Sequence, residues 1–179
     1  MASRKKNSHK APKKKAAKKA NPIPAGYHSV TPYLMVPDTL KEIDFLKKAF
    51  GAKVTTPPMM RPDGTAGHAE VQIGTSRVMM GGAMEGFPAT PMALYLYVKD
   101  SDAVYKKALE AGATSIMPPT NQFYGDRHGG VKDPGGNTWW IATRVEDVPL
   151  KELERRHAEM MKTQFPKQSS EQAQSASGM

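Results

Sequence analysis

Tyr33-Leu34-Met35-Val36-Pro37-Asp38 and Tyr95-Leu96-Tyr97-Val98-Lys99-Asp100 are two copies of one pattern. Each is followed by a helical run, then by Gly51-Ala52 or Gly112-Ala113, then by Pro57-Pro58 or Pro118-Pro119. From Asp to Gly is 13 positions in the first copy and 12 in the second, and from Gly to the first Pro is 6 in both. A supersecondary unit used twice directs the search for function to the surface the two copies share.

Working outward, Val30 to Val36 is a β-prone run that stops at Pro37, and Asp38 has the side chain of a helix N-cap. Leu40, Ile43, Phe45, Leu46 and Phe50 recur at helical spacing and end at Gly51, a helix stop. Lys53 to Met60 and Gly67 to Ile73 read as strands around the Pro62-Asp63-Gly64 turn, followed by Arg77 to Met80. The second copy repeats the order: strand Ala93 to Val98, helix Ala103 to Ala111, strands Thr114 to Met117, Arg127 to Val131 and Thr138 to Thr143. Each copy is thus βαβββ, with modules at about 27–86 and 91–146, and a last helix is predicted over 149–165.

The charge is not spread over this pattern. Of 26 Lys and Arg, nine lie before Asn21 with no acid among them; the 17 that remain match the 17 Asp and Glu. A Lys/Ala/Pro tract cannot offset its ordering entropy, so residues 1–22 are predicted to be a disordered basic tail, and the Ser/Gln-rich residues 166–179 a second one. The lysines suit nonspecific nucleic-acid contact, although no aromatic residue interleaves them to stack on bases. The chain has no Cys, hence no disulfide or thiolate ligand, which fits a reducing compartment. The expected location is cytoplasmic, or nuclear if the lysine tract serves as an address in a eukaryote. No segment approaches the roughly 20 apolar residues of a membrane span, so no membrane partner is expected.

Two βαβββ units with Asp-Pro-Gly-Gly-Asn (133–137) leading into the last strand resemble the vicinal oxygen chelate superfamily of glyoxalases, extradiol dioxygenases and bleomycin-resistance proteins. Val30-Thr31-Pro32-Tyr33-Leu34, Gly67-His68-Ala69-Glu70, Gln122-Phe123-Tyr124-Gly125-Asp126-Arg127 and Trp140-Ile141-Ala142-Thr143 are similar to its PhnB-like branch. The resemblance covers 23–148 and implies an α+β, glyoxalase-like fold: a curved mixed-sheet cup with helices on the convex side. It also implies homodimers in which two chains complete each cup.

Alternation along the strands says what faces that cup. Leu94, Leu96 and Val98 suit packing under a helix, which leaves Tyr95 and Tyr97 facing the other way; Leu34 and Val36 likewise leave Tyr33 and Met35. Ala69, Val71 and Ile73 oppose His68, Glu70 and Gln72, and Trp140 faces the cup if Trp139 packs outward. The metal-binding members of the superfamily hold a divalent cation through His and Glu at set places on these strands. The corresponding residues here are Thr31, Ala93, Trp140 and the vicinity of Met79 or Met80, none of which supplies an imidazole nitrogen or a carboxylate. No metal ligand and no cofactor is therefore assigned, with a divalent metal only if a site exists elsewhere.

The candidate ligand-binding residues are Tyr33, Gln72, Tyr95, Tyr97, Tyr124, Arg127 and Trp140. His68 and Glu70, two apart on one strand face, are candidate catalytic residues, a base with an orienting partner or a hydrogen-bonded polar pair. His128 beside Arg127 is placed to meet an anionic ligand or to lie in a solvated loop. The leading expectation is a small-molecule binding protein of the bleomycin-resistance type, with an aromatic cup and no usual metal site. The alternatives are a glyoxalase-like enzyme, lyase or dioxygenase-like, built around His68 and Glu70, and a tail-driven nucleic-acid-associated protein.

Overall fold

A computed structural model of the chain describes residues 20–164; the lysine tract and the Ser/Gln-rich tail lie outside these residues. Asp38 accepts the N–H groups of Leu40 and Lys41 at 3.0 and 3.1 Å and so caps α1 (Thr39–Phe50). The helix closes on Gly51 at φ 65°, a left-handed conformation that costs a residue without Cβ little. Around it lie β1 (Tyr33–Val36), β2 (Lys53–Met60), β3 (Ala66–Ile73) and β4 (Ser76–Gly82). The second copy comprises β5 (Ala93–Tyr97), α2 (Ser101–Glu110), β6 (Thr114–Asn121), β7 (Asp126–Lys132) and β8 (Thr138–Arg144), and α3 (Leu150–Gln164) follows. The predicted βαβββ order holds in both copies. β1 is shorter than predicted because Thr31 bonds back to the His28 carbonyl and holds a turn there. α2 starts earlier because Asp100 caps it through the N–H of Ala103.

Each copy forms its own four-stranded sheet, in the orders β1-β4-β3-β2 and β5-β8-β7-β6. β2 and β6 are outer edges, and the ladder register breaks at Pro57-Pro58 in one and Pro118-Pro119 in the other. Proline has no N–H to give a ladder, so the repeated proline pair belongs at an edge.

α1 lies mainly over β3 and α2 over β7, and the two helices touch each other. The modules therefore meet through their helices. Between them runs one core that joins Leu34, Phe45, Leu46 and Met80 to Val131, Trp139 and Ile141. The Phe50 and Trp139 rings meet across the module boundary, 4.8 Å apart. The predicted inward rows are buried in the first module, whereas Leu94, Leu96 and Val98 are only partly covered. β5 is a sheet edge, and α2 sits over β7 rather than over it. Leu40, placed on the apolar stripe by its spacing, is 45% exposed, because Thr39 takes the inward position of the first turn.

The 133–137 turn is a welded corner. Asp133 accepts from the Asn137 backbone at 2.7 Å, the Asn137 amide at 3.0 Å and the Trp139 indole at 2.8 Å. Glu42 of α1 is buried beside it, with neither oxygen hydrogen-bonded among the described residues. Burial first, and the Asp133 charge second, push its carboxyl up to about 9, so it holds a proton at neutral pH. No helix among the described residues is long and apolar enough to cross a membrane.

Candidate functional site

The open face of the first module is organised around Glu70. Its Oε2 accepts from the Tyr27 hydroxyl and, at 3.0 Å, from Arg77, while Oε1 lies 3.3 Å from His68 Nε2. Arg77 also stacks over the Tyr27 ring, 4.6 Å from its centroid. A Cβ on Gly26, at φ 83°, would sit 3.0 Å from the Arg77 guanidinium, so glycine lets the chain pass this close. The segment ahead of β1 is in this way strapped across the first sheet. Glu70 is 6% exposed, and burial alone would raise its pKa; the hydrogen bonds from Tyr27, Arg77 and His68 outweigh that and hold it at about 2. Tyr33 completes the cluster, its hydroxyl 3.4 Å from His68 Nδ1.

The second module's open face is built around Asp126, which is 1% exposed. Its Oδ2 accepts from Tyr97 at 2.8 Å and Tyr95 at 3.1 Å, and Oδ1 from Arg144 at 3.2 Å. His128 Nδ1 lies 2.9 Å from the Tyr95 hydroxyl and 2.8 Å from that of Tyr124. Burial pushes the His128 pKa down, against the pull of Asp126. Burial, Tyr124 and then Asp126 push the Tyr95 phenol up, and Asp126 does the same for Tyr97, so both remain hydrogen-bond donors at neutral pH. Gly130 faces Trp140 across the β7–β8 ladder, and a Cβ there would come within 2.4 Å of the indole. The absent side chain leaves room for the ring over the β7 backbone, with the His128 ring 5.5 Å away.

The structure thus gathers Tyr95, Tyr97, Tyr124 and Trp140 on one face and Tyr33, His68 and Glu70 on another. Within one chain the two groups do not meet. Gln72 lies at the far end of β3 opposite Arg77, bonded to the Gly74 carbonyl at 3.1 Å. Arg127 departs from the predicted role: it points to the helix side and grips the Asp102 carboxylate through two bonds of 2.6 Å at the start of α2. Strand alternation requires this, because Asp126 and His128 take the open face. Sequence reasoning missed Tyr27, Arg77 and Asp126, and left His128 open. Laying β3 on β7 residue by residue would have exposed His68 and His128 as counterparts.

The positions that hold metal in the superfamily do not fit one here. Ala93 has no donor, Thr31 turns its hydroxyl to a backbone carbonyl, and Trp140 lies over Gly130. Among the described residues no three His, Asp or Glu side chains cluster as ligands.

Curated relatives from Mycobacterium bovis and Mycobacterium tuberculosis, both described as uncharacterized, are 35% identical over 137 residues. That span is 70% of this chain and 90% and 80% of theirs. Among solved structures, TioX from Micromonospora sp. ML1 superposes with a TM-score of 0.55 at 24% identity, covering 64% of this chain and 97% of TioX. A PhnB protein from Bacillus cereus superposes at 0.53 and 21% identity, covering 65% and 99%. At these identities the two structures speak for the fold. The profile of the Glyoxalase/Bleomycin resistance protein/Dioxygenase superfamily matches residues 26–141, and with the repeat, the paired sheets and the relatives it settles the family: the chain belongs to that superfamily.

Proposed function

We propose that this is a small-molecule binding protein of the bleomycin-resistance type, working without the superfamily's usual metal site, whose ligand surface is the open face of the second module. One observation carries the reading: the Trp140 indole lies over Gly130 with the His128 ring beside it and Tyr95 as its partner across the β5–β8 ladder, and Tyr97, against Tyr95, is 61% exposed. Rings held in this way offer a stacking surface of low conformational cost to a planar or amphipathic ligand. A second copy supplies the missing wall. Each open face carries exposed large side chains, Tyr33 and Met59 on the first and Tyr95 and Tyr97 on the second, and an apolar patch of this kind marks an interaction surface. In a homodimer the first-module face of one chain closes over the second-module face of the other. The enzymatic alternative at His68 and Glu70 loses support, because a carboxylate held at about 2 by Tyr27 and Arg77 is a weak base. The lysine tract, as a salt-sensitive nucleic-acid contact in a cytoplasmic or nuclear setting, is an accessory to this reading.

The test is a titration with 1-anilinonaphthalene-8-sulfonate in Trp139→Phe and Trp140→Phe variants, with light scattering on the same samples. Energy transfer to the probe is expected from Trp140, in a dimer. Transfer from Trp139 instead, or none, rejects the ligand surface; a monomer at every concentration rejects the completed cup.

A further inference from the structure

The two open faces use the same tyrosine–histidine pair but connect it to different acids. His68 and His128 are each the third residue of their strand, and they lie opposite Met59 and Thr120 at matching points of the β2–β3 and β6–β7 ladders. Both turn Nδ1 to the tyrosine at the same place in the repeat, Tyr33 or Tyr95. In the first module Glu70 occupies Nε2 of His68. The counterpart of Glu70 is Gly130, so in the second module no carboxylate reaches Nε2, and no protein group among the described residues pairs with that atom. The acid stands instead at Asp126, behind the phenols.

The proton count on this network selects a tautomer. Tyr95 has one hydroxyl hydrogen, directed to Asp126 at 3.1 Å, so its oxygen presents a lone pair to Nδ1 at 2.9 Å. A ring hydrogen on Nδ1 satisfies both contacts, with Tyr95 and Tyr124 as its acceptors. Nε2 keeps its lone pair, and the hydrogen of Tyr124 remains available to a ligand. The groups facing the ring are Tyr95 from β5, Tyr124 from the preceding loop, Asp126 from β7 through Tyr95, and Trp140 from β8; Arg144 acts on the ring only through Asp126.

We propose that His128 Nε2 is a general base for metal-free proton transfer from an aryl carbonyl compound stacked on Trp140, with Tyr124 donating to the carbonyl oxygen and with Tyr95 and Asp126 as positioning residues. The inference rests on the ligand surface proposed above. In the step, a C–H bond next to the carbonyl breaks, its proton goes to Nε2, and its electron pair moves onto the carbonyl oxygen as an enolate that Tyr124 hydrogen-bonds. The imidazolium, stabilised through Tyr95 by Asp126, returns the proton to the oxygen or to the carbon. The products are the enol or the exchanged ketone, and no oxidant, reductant or co-substrate is consumed.

The probe is 1-phenyl-1,3-butanedione in D2O, with loss of its methylene signal followed by proton NMR and binding by quenching of tryptophan fluorescence. The full chain is expected to accelerate exchange about 10²-fold over buffer, the size of a general-base contribution. His128→Gln, at probe concentrations that saturate it, should return the rate to that of buffer while the protein stays folded. Tyr95→Phe should slow exchange and move the acid limb of the pH–rate profile to lower pH, because the imidazolium loses its link to Asp126. Nitrogen-15 NMR should show His128 with its hydrogen on Nδ1. Binding without exchange, exchange that survives His128→Gln or disappears in His68→Gln instead, or a hydrogen on Nε2 overturns the proposal while leaving the ligand surface standing. No binding at millimolar probe overturns both.

Discussion

The first module's open face is closed by its own chain, and the second module's is not. Glu70 has drawn Tyr27, Arg77 and His68 onto itself, and the segment ahead of β1 lies over the sheet as a result. Asp126, more deeply buried, draws its partners from its own sheet, and leaves one histidine nitrogen and one indole face open. A repeat can therefore keep its backbone and its tyrosine–histidine pair while moving one carboxylate from the centre of a strand to its head. That move turns an internal clasp into a surface able to meet a ligand.

The largest expected effect separates the helix side of β8 from its open side. Trp139 is 2% exposed, packs on Phe50 and donates to Asp133, so Trp139→Ala should lose about 3–5 kcal/mol of stability in urea denaturation. Trp140→Ala, on the open face, should lose less than half of that. Equal losses would erase the distinction between the two sides.

A smaller effect sharpens the contrast between the clasps through pH. The folded-state pKa of Glu70 lies at about 2, below an unfolded value of about 4.3. Its contribution is therefore fully present above pH ~4.3 and is lost as pH falls toward 2. Glu70→Gln should remove that part of the acid destabilisation and weaken the protein at pH 7 by about 2–3 kcal/mol, since Arg77 loses its charged acceptor. Chemical denaturation between pH 2 and 7 reads both; an unchanged acid slope would mean that the strap is not held by this carboxylate.

The smallest effect compares the two caps. Asp38 accepts two backbone N–H groups and Asp100 one. Asp38→Ala should cost about 1–2 kcal/mol and Asp100→Ala about 0.5–1 kcal/mol, measured in the same denaturant series. The reverse order would show that helix packing, not capping, sets the balance.

Much of this fold was legible because its signals are local. Asp38, Gly51, the proline pairs and the period-two rows at 69–73 and 138–142 act within a few residues, and an i, i+2 alternation assigns faces without knowledge of the partner strand. The same rule, carried one residue further, would have sent Arg127 to the helix side. The Tyr124-Gly125-Asp126-Arg127 motif points it to the ligand instead, because a motif carries no strand phase.

By itself the sequence determined the two βαβββ units, the Asp38 cap and Gly51 stop of α1, and the faces of most strands. Only the tertiary structure decided that the modules meet through α1 and α2, with His68 and His128 on separate sheets. It also decided which acid each histidine serves. Tyr27 reaches Glu70 across 43 positions and Tyr95 reaches Asp126 across 31. Contacts of that span depend on how sheet and helix layers stack, and no local periodicity encodes them.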